Sequence, residues 1–348
     1  MIYDYIVVGA GQAGLAIAYY LKQQGVNFLV LDGDDTLGGS WLRRWDSLTL
    51  FTPSQYNGLP GMDFPMKEGT YPGKDAVAQY LIDYVDCFDI PVALNHKVKQ
   101  LRHVDGIYQL SCDGKVLQSH NVIIATGPFH TPAIPTFSKH LDKDVVQLHS
   151  RDYKNPQQLQ PGNTLVVGGG DSGVQILEEL AENLDEVYFS GKCSAMVLPQ
   201  EFLGKTLWWW LLKLRILKAN KYSWLGKILS KRAQPIIGTN VRRLFARQNV
   251  HLLGRSISAQ DDVIRCEKGS LDNVRNVVWA TGYRPDFSWI DGVELDDKGY
   301  PENYRGKSAQ QGLYFIGLPW LYTRGSATLG GVKEDAEYLA NQLAVVSQ

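Results

Sequence analysis

The stretch "YIVVGAGQAGLAI", Tyr5–Ile17, decides the fold of the first part of the chain. It reads as a buried strand, a glycine-rich turn and the start of a helix. Gly9 suits the tight turn, Gly11 lets a pyrophosphate approach the backbone, and Gly14 allows the helix to pack closely on the strand. The first N–H groups of such a helix favour an anion at this turn.

The residues after this helix complete the unit. A second strand is predicted over Asn27–Leu31, and it ends in Asp32. A carboxylate about 20 residues beyond the turn accepts a hydrogen bond from a ribose 2′-OH. A glycine turn without a ligand is the alternative, but the strand, the helix and the terminal acid together disfavour it. We call Gly9–Gly14 the first cradle.

The stretch "LVVGGGDSGVQI", Leu165–Ile176, repeats the pattern, and we call Gly168–Gly173 the second cradle. The strand predicted over Glu186–Phe189 is followed by Ser190-Gly191-Lys192, without an acid. A carboxylate there would repel a 2′-phosphate, whereas Ser and Lys would tolerate or bind one. The first cradle therefore suits the adenosine of FAD, and the second suits NADPH, or NADH without a dedicated acceptor.

Two further segments support an internal repeat. "VIIATG" (Val122–Gly127) and "VVWATGYRP" (Val277–Pro285) lie 155 positions apart, and the two glycine turns lie 159 apart. Each segment reads as a buried strand that ends in Ala-Thr-Gly. The chain thus contains two similar nucleotide-binding units. We predict an α/β protein with two Rossmann-like dinucleotide-binding domains, an FAD domain and an NAD(P)H domain inserted into it.

The domain boundaries follow from the linkers. The polar stretch Gln157–Asn163 contains Pro161-Gly162 and is a predicted linker. We assign residues 1–160 to the first part of the FAD domain, 161–282 to the NAD(P)H domain and 283–348 to the return segment of the FAD domain. The return segment is predicted to end in a helix from about Ala327 to Val345, with its N-terminus facing the flavin. The cleft between two such domains is a usual place for ligands.

Bulk composition excludes several classes of function. The formal net charge of −1 gives no indication of nucleic-acid binding. The four cysteines form no C-x-x-C pair, which excludes a zinc ribbon and a dithiol redox motif, and no histidine spacing predicts a metal site. Scattered cysteines, no room for a signal peptide before Tyr5 and no apolar run of about 18–20 residues lead us to expect a cytoplasmic protein.

Several motifs together resemble the flavin-containing monooxygenases, most closely the small bacterial members and also the plant YUCCA-type enzymes. They are the two cradles, the two Ala-Thr-Gly strands, "GGSW" at Gly38–Trp41, and "LHSRDYKNP" at Leu148–Pro156. The chain departs from the family pattern at Lys143 and Val145, which stand where its fingerprint has Phe and Gly. The Arg that usually ends the strand of the second unit in this family is absent, and Ser190-Gly191-Lys192 stands in its place. Phe51 stands where better-known members carry an Asn.

The resemblance implies an enzyme in which NAD(P)H reduces FAD and the reduced flavin binds oxygen at C4a. The resulting peroxyflavin or hydroperoxyflavin would oxygenate a soft nucleophile, such as a sulfide or amine, or a ketone. A quinone- or ferredoxin-reductase-like enzyme and a redox sensor that only binds nucleotides stay open as alternatives. A thioredoxin-reductase-like dithiol enzyme is disfavoured by the missing C-x-x-C. A homodimer is possible on the sequence.

Site residues follow from the cradles and from the resemblance. Phe51 is the candidate for tuning the oxygenated flavin. The FAD-binding candidates are Gly9, Gly11, Gln12, Ala13, Gly14, Asp32, Gly39, Ser40, Trp41, Leu50, Phe51, Thr52, Tyr56, Val98, Ala125, Thr126, Gly127, Gly317 and Thr328. The NAD(P)H-binding candidates are Gly168, Gly170, Asp171, Ser172, Gly173, Ser190, Gly191, Lys192, Ala280, Thr281 and Gly282.

Three other features carry open interpretations. Trp41 is either a wall beside the isoalloxazine or an interface tryptophan. His149 and Tyr153 are interpreted as structural residues. The stretch Trp208–Arg232, which we call the aromatic segment, is both aromatic and basic. It could line a substrate channel, form a dimer contact or lie on a membrane surface.

Overall fold

The computed structural model describes residues 1–192 and 196–343. Among these residues, seven strands form the first sheet, which is parallel at its centre and antiparallel at one side. From edge to edge its strands are Val92–Ala93, Phe28–Leu31, Ile2–Val8, Lys115–Ile124, Ile107–Cys112 and Val98–Val104, with Leu313–Phe315 pairing beside the end of Lys115–Ile124.

The second sheet has five parallel strands within the described residues. Their order is Val250–Leu252, Val187–Ser190, Asn163–Val167, Val274–Trp279 and Val146–His149. The central strands of both sheets are buried on both faces, which is why they read as continuous apolar runs in the sequence. The predicted α/β class with two Rossmann-like units is confirmed by this architecture.

The membership of the strand Val146–His149 changes one predicted boundary. This strand pairs with Val274–Trp279 in the second sheet, although it precedes the boundary we placed at residue 160. The chain therefore enters the second domain before residue 146. The polar stretch Gln157–Asn163 is a loop inside that domain, in which the Gln160 N–H donates to Asn276 Oδ1 at 2.9 Å.

Eight α-helices occur in the described part of the chain: Gln12–Gln24, Gly39–Leu42, Lys74–Phe88, Asp171–Asn183, Leu207–Lys213, Trp224–Ser230, Val241–Phe245 and Val332–Leu343. The 3₁₀ turns are Ser54–Tyr56, Thr136–His140, Pro156–Gln158, Ile216–Lys218 and Arg324–Ala327. Small sheets pair Val197–Leu198 with Ile236–Ile237, Glu201–Phe202 with Lys205–Thr206, and Thr131–Pro132 with Tyr283–Arg284, and join Ser256–Gln260, Val263–Cys266 and Gly269–Leu271. No helix among the described residues is both long and apolar enough to cross a membrane.

Three helix starts differ from those that the sequence predicts. The apolar pattern predicts that the cradle helices begin at Leu15 and Val174, but both begin in the turn itself, at Gln12 and Asp171, because the backbone is already helical there. The last helix begins at Val332 instead of Ala327, since a 3₁₀ turn and the glycines Gly330 and Gly331 precede it. Its predicted end at Val345 lies outside the described residues.

Apolar residues from the first part of the chain contact the core of the second domain. Trp45 and Leu48, which come from the FAD-domain part of the chain, are buried in the core of the second domain beside Ile176 and Leu177. Trp41 and Leu50 are partly buried and pack against both this core and the core of the first domain. The interface interpretation of Trp41 is therefore supported by its packing, while its contact with a flavin stays a prediction.

The two chain crossings form a short antiparallel ribbon, in which Tyr283 pairs with Pro132. Arg44 holds this ribbon: its guanidinium donates to the Tyr283 hydroxyl at 3.0 Å and lies over the Phe129 and Tyr283 rings. The His149 Nε2 lies 3.0 Å from the Gly282 carbonyl oxygen. These contacts fix the position of one domain against the other at the crossings.

We expect Gly173→Ala to destabilise the second domain. A methyl group at this position would overlap the Gly168 carbonyl oxygen, which the turn itself holds in place. The loss in the free energy of unfolding should reach about 3 kcal/mol or more. The control is Gly170→Ala, since nothing lies within 4 Å of that position and the loss of a cap costs about 1 kcal/mol. Urea denaturation measures both, and equal losses would contradict the packing argument.

Candidate functional site

The first cradle has the geometry of a pyrophosphate site. Gly9 adopts φ +109°, and a side chain there would meet the Ala125 carbonyl oxygen at 2.7 Å. A side chain on Gly14 would overlap the Gly9 carbonyl oxygen. Gly11 differs, because nothing lies within 4 Å of the place where its side chain would begin. The helix behind it has no side-chain cap, so its first N–H groups, those of Gln12 and Ala13, face this open space.

Asp32 closes the far side of the first cradle. Its carboxylate accepts from the Ala10 N–H at 2.6 Å and from the Asp34 N–H at 2.9 Å. Burial raises the pKa of Asp32, and these two backbone hydrogen bonds oppose that rise. The carboxylate is thus fixed at the end of its strand, in position for a ribose hydroxyl. The cradle fits the adenosine diphosphate part of FAD.

The second cradle repeats this geometry residue by residue. Gly168 adopts φ +129°, and a side chain there would overlap the Ala280 carbonyl oxygen, as Gly9 approaches Ala125. Gly173 approaches the Gly168 carbonyl oxygen, and the space around Gly170 is open. Each Ala-Thr-Gly segment therefore abuts its own glycine turn. The Thr281 hydroxyl is buried and has no hydrogen-bond partner among the described residues, which fits a ligand contact.

The end of the strand Val187–Ser190 departs from our prediction. Ser190 is fully buried, and its Oγ lies 2.6 Å from Ser256 Oγ, so this hydroxyl is not free for a 2′-phosphate. Lys192 is exposed, and its Nζ lies 3.8 Å from a Glu267 carboxylate oxygen. Gly191 lies against the second cradle, since a side chain on it would begin 3.1 Å from the Gly169 nitrogen. The acid that the sequence lacks here is supplied by Glu267, from a different part of the domain.

Asp171 begins the second cradle helix and ties it to a neighbouring segment. One carboxylate oxygen accepts from the Ile237 N–H at 3.3 Å, and the other accepts from Gln234 Nε2 at 3.5 Å. Burial raises the pKa of Asp171 to about 6, while the Ile237 hydrogen bond and the nearby Arg324 charge lower it. Asp171 therefore holds the segment that contains Gln234 and Ile237 against the start of the second cradle helix. Contact of its own side chain with NAD(P)H stays a prediction.

The segment Thr49–Tyr56 lies between the return segment and the aromatic segment. A side chain on Gly330 would overlap the Tyr56 carbonyl oxygen, so these two segments touch. Phe51 is half-buried, and its ring centroid lies 5.5 Å from that of Trp208. The first turn of the aromatic segment therefore packs on the residue that we expect beside the flavin. This contact supports the channel-wall interpretation for Trp208.

Some of the remaining FAD candidates lie close to the first cradle, and the others stay predictions. A side chain on Gly317 would approach Ala13 at 2.6 Å, which places the return segment against the cradle helix. Thr126 Oγ1 lies 3.2 Å from His130 Nε2. Gly39 lies close to Asp34, Ser40 is exposed and Val98 is buried in the core beside Leu31. The Thr328 hydroxyl donates to the Gly325 carbonyl oxygen at 2.8 Å.

The structure adds two candidate site residues that the sequence analysis did not predict. Arg324 stands in a 3₁₀ turn of the return segment and acts electrostatically on Asp171 of the second cradle. Tyr71 has a buried hydroxyl without a hydrogen-bond partner among the described residues. It precedes Pro72, whose carbonyl oxygen accepts from the Leu50 N–H at 2.8 Å. Neither residue lies in a motif, and only the folded chain brings them to the site.

Tyr153, by contrast, has a structural partner. Its buried hydroxyl donates to a Glu179 carboxylate oxygen at 2.7 Å, which joins the loop after Val146–His149 to the second cradle helix. Burial lowers the pKa of His149, and both of its ring nitrogens have backbone partners. Both side chains thus make the structural contacts that we expected of them.

Comparison with known proteins shows the family to which the chain belongs. A family model described as pyridine nucleotide-disulphide oxidoreductase matches residues 6–196. An uncharacterized oxidoreductase CzcO-like from Geobacillus kaustophilus (strain HTA426) is 43% identical over 343 residues, with 98% of each chain covered. The chain belongs to the pyridine nucleotide-disulphide oxidoreductase family. It is therefore an oxidoreductase, as predicted.

This oxidoreductase is also similar to flavin monooxygenases, over nearly its whole length. The solved structure of a flavin-containing monooxygenase from Stenotrophomonas maltophilia has a TM-score of 0.80 and 25% identity, with 100% of both chains covered. A probable indole-3-pyruvate monooxygenase, YUCCA3 from Arabidopsis thaliana, is 27% identical, with 97% of this chain and 86% of that protein covered. The predicted resemblance to flavin-containing monooxygenases is confirmed.

The two open glycines allow a crossed test of the cradles. Gly11→Val should leave the fold intact, because its position is open, but should reduce the bound FAD at least about tenfold, because the side chain blocks the pyrophosphate. Gly170→Val should retain FAD and raise the KM for NAD(P)H at least about tenfold for the same reason. Absorbance at the flavin band and steady-state kinetics measure both. A folded, fully yellow Gly11→Val protein would disprove the assignment.

Nicotinamide selectivity should depend on Lys192 and Glu267 in opposite directions. Lys192→Ala should lower kcat/KM for NADPH several-fold, because a point charge near the 2′-phosphate is lost, and should leave NADH nearly unchanged. Glu267→Gln should raise kcat/KM for NADPH, since a nearby carboxylate repels the phosphate. The wild type should prefer neither cofactor by more than about tenfold, which is about 1.4 kcal/mol. A preference above about a thousandfold would mean that another residue reads the phosphate.

Asp171→Asn should show pH-dependent stabilisation. Because folding raises the pKa of Asp171 to about 6, ionisation of the carboxyl costs the folded state stability as the pH rises from about 4 through 6. The asparagine variant lacks this cost and keeps the amide oxygen as an acceptor. Its advantage should be near zero at pH 4 and grow to at most about 3 kcal/mol at pH 7. A difference in unfolding free energy that is independent of pH would contradict the burial argument.

Proposed function

We propose that this protein is an FAD-dependent, NAD(P)H-consuming monooxygenase that oxygenates a soft nucleophile, such as a sulfide or an amine, or a ketone. The observation that carries the proposal is the pair of complete cradles, one with Asp32 fixed at the end of its strand and one with Lys192 and Glu267 near the corresponding strand end. A single nucleotide would need one cradle. Two cradles of different chemistry suit a bound flavin and a nicotinamide that brings hydride to it.

The absence of a dithiol separates this proposal from disulphide reduction. The three cysteines that the structure describes, Cys87, Cys112 and Cys266, are free, and two of them are buried. Burial raises the pKa of Cys112 and Cys266, so neither is poised as a thiolate. Electrons that reach the flavin therefore have no described thiol pair to pass to. Oxygen is an acceptor that needs no further redox group in the protein.

The residues near the flavin-facing segment suit oxygen chemistry. Bound FAD supplies hydride acceptance and, once reduced, the activation of oxygen. The Phe51 and Trp208 rings pack on each other, and an apolar wall of this kind beside the flavin would exclude water and limit the loss of activated oxygen as peroxide. The unpartnered Tyr71 hydroxyl offers a hydrogen bond to a polar group of a substrate. The protein thus needs no side-chain nucleophile, and its residues act by orienting groups and excluding water.

Several relatives support the proposal. The Arabidopsis relative is named as a probable indole-3-pyruvate monooxygenase. The Stenotrophomonas structure is also that of a flavin-containing monooxygenase. FAD, NADP and oxygen are the cofactors of this chemistry. Two bacterial relatives, at 43% and 42% identity, are described only as uncharacterized oxidoreductases, so the substrate class rests on the chemistry of the site.

The proposal is tested by oxygen uptake with the purified flavoprotein. NAD(P)H-dependent oxygen uptake should produce both oxygenated product and hydrogen peroxide from an aryl methyl sulfide, with ¹⁸O from O₂ in the sulfoxide. Phe51→Asn should change the fraction of NADPH that is lost as peroxide by about threefold or more, because an amide can hydrogen-bond where the ring cannot. The control Phe51→Leu keeps an apolar side chain and should behave like the wild type.

Two results would count against the proposal. Rapid reduction of a quinone without ¹⁸O incorporation into any sulfide, amine or ketone would indicate an acceptor reductase. A protein that binds FAD and NAD(P)H but transfers no hydride would indicate a sensor.

A further inference from the structure

An unusual charge distribution surrounds the aromatic segment. Between Glu201 and Asp261 the chain contains no Asp or Glu, although 36 of its 348 residues are acidic. The same stretch holds six lysines and six arginines. The formal net charge of the whole chain is only −1, so the rest of the protein carries an excess of acids. Positive charge is therefore concentrated in one continuous stretch.

Large apolar side chains are exposed within this positive stretch. Trp224 is 77% exposed, Leu203 75% and Leu214 62%. Phe202, Leu212 and Ile228 are exposed as well. Scattered single apolar residues on a surface need no explanation, but six within 27 residues that lack any acid do. We call these six residues, the lysines between them and the exposed Lys231 the basic apolar surface.

The helix Trp224–Ser230 presents both kinds of side chain on one face. At 3.6 residues per turn, Trp224, Lys227, Ile228 and Lys231 fall within about 100° of the helix circumference. All four are exposed. Ser223 caps this helix by accepting from the Gly226 N–H at 3.1 Å. A helix with a mixed basic and aromatic face of this kind suits a bilayer surface, where the rings enter the headgroup region and the lysines reach the phosphates.

Backbone, side-chain and cation–ring contacts hold the stretch that carries these side chains in place. The Lys221 N–H donates to the Tyr322 carbonyl oxygen at 2.7 Å, which straps the middle of the segment to the return segment of the first domain. The Trp210 indole N–H donates to the Phe202 carbonyl oxygen at 2.8 Å, which fixes the neighbouring hairpin. Lys205 and Lys213 both lie over the Trp209 ring. These contacts give the basic apolar surface a fixed structure in which apolar and cationic side chains alternate.

We propose that the basic apolar surface docks on an anionic lipid bilayer. Charge complementarity favours this occupant over a second copy of the chain: residues 202–260 contain no acid, so a two-fold contact of this stretch with itself would bring like charges together. The exposed leucines and Ile228 add nothing to a nucleic-acid contact, which depends on phosphate and base groups. The inward end of the aromatic segment, Trp208 against Phe51, stays part of the enzyme site. The proposal does not depend on the proposed function, because docking is measured without turnover.

Vesicle flotation with the purified, FAD-loaded full chain tests the proposal. The protein should float with vesicles of phosphatidylcholine and phosphatidylglycerol in equal parts and should stay in solution with phosphatidylcholine alone. Lys227→Glu/Lys231→Glu should weaken partitioning about tenfold or more, because each basic residue near the surface contributes to the attraction. Leu214→Ser/Trp224→Ser should also weaken it several-fold. The control Lys115→Glu/Val116→Ser alters an exposed pair on another strand and should float like the wild type.

Flavin content and thermal unfolding, matched to the wild type, establish that each variant is folded. Absence of flotation with anionic vesicles would overturn the proposal. It would equally be overturned if Leu214→Ser/Trp224→Ser floated like the wild type and heparin competed, which would make the surface a general polyanion site. A dimer in size-exclusion chromatography that this same variant breaks, without vesicle binding, would assign the surface to a second copy.

Discussion

The close approach of a glycine to a carbonyl oxygen is the constraint on which the rest of the structure depends. In the first cradle Gly14 lies against the Gly9 carbonyl, and in the second Gly173 lies against that of Gly168. Neither approach tolerates a side chain, so each helix can pack on its strand only in this register. That packing aims the first N–H groups of each helix at the open space before Gly11 and Gly170. The binding of two nucleotides therefore follows from backbone geometry.

The contacts between the domains decide how the two sites can work together. Trp45 and Leu48 cross from one domain into the core of the other, and Arg44 holds the ribbon at the chain crossings. Arg324 of the return segment acts on Asp171 of the second cradle. These contacts therefore fix the position of one nucleotide site relative to the other. A change at the ribbon should alter hydride transfer without touching either cradle.

Much of the fold and part of the site could be predicted from the sequence because the evidence is local. Glycine spacing, the terminal Asp32 and the repeated Ala-Thr-Gly all lie within short segments whose geometry is nearly fixed. The errors arose where partners are distant in the chain. The strand Val146–His149 joins the second sheet through a residue more than 100 positions away, and Ser190 is buried against Ser256.

Glu267 and Arg324 illustrate the same limit. Each is an ordinary charged residue in a stretch without a motif, and only folding places it beside Lys192 or Asp171. The aromatic segment was ambiguous for another reason, since its parts have different environments. Its first residue, Trp208, contacts Phe51, whereas Leu214 and Trp224 are exposed. The sequence therefore left three interpretations of this stretch open, and different parts of it can serve different functions.

The division of labour between the two cradles is tested most directly by anaerobic rapid mixing with NADPH deuterated at C4. The account predicts that the flavin absorbance bleaches in a saturable step and that deuterium on one face of the nicotinamide slows this step. Gly170→Val should keep its flavin but need at least about tenfold more NADPH to reach half the maximal bleaching rate. Bleaching at the wild-type rate in Gly170→Val, or no bleaching in the wild type, would contradict it.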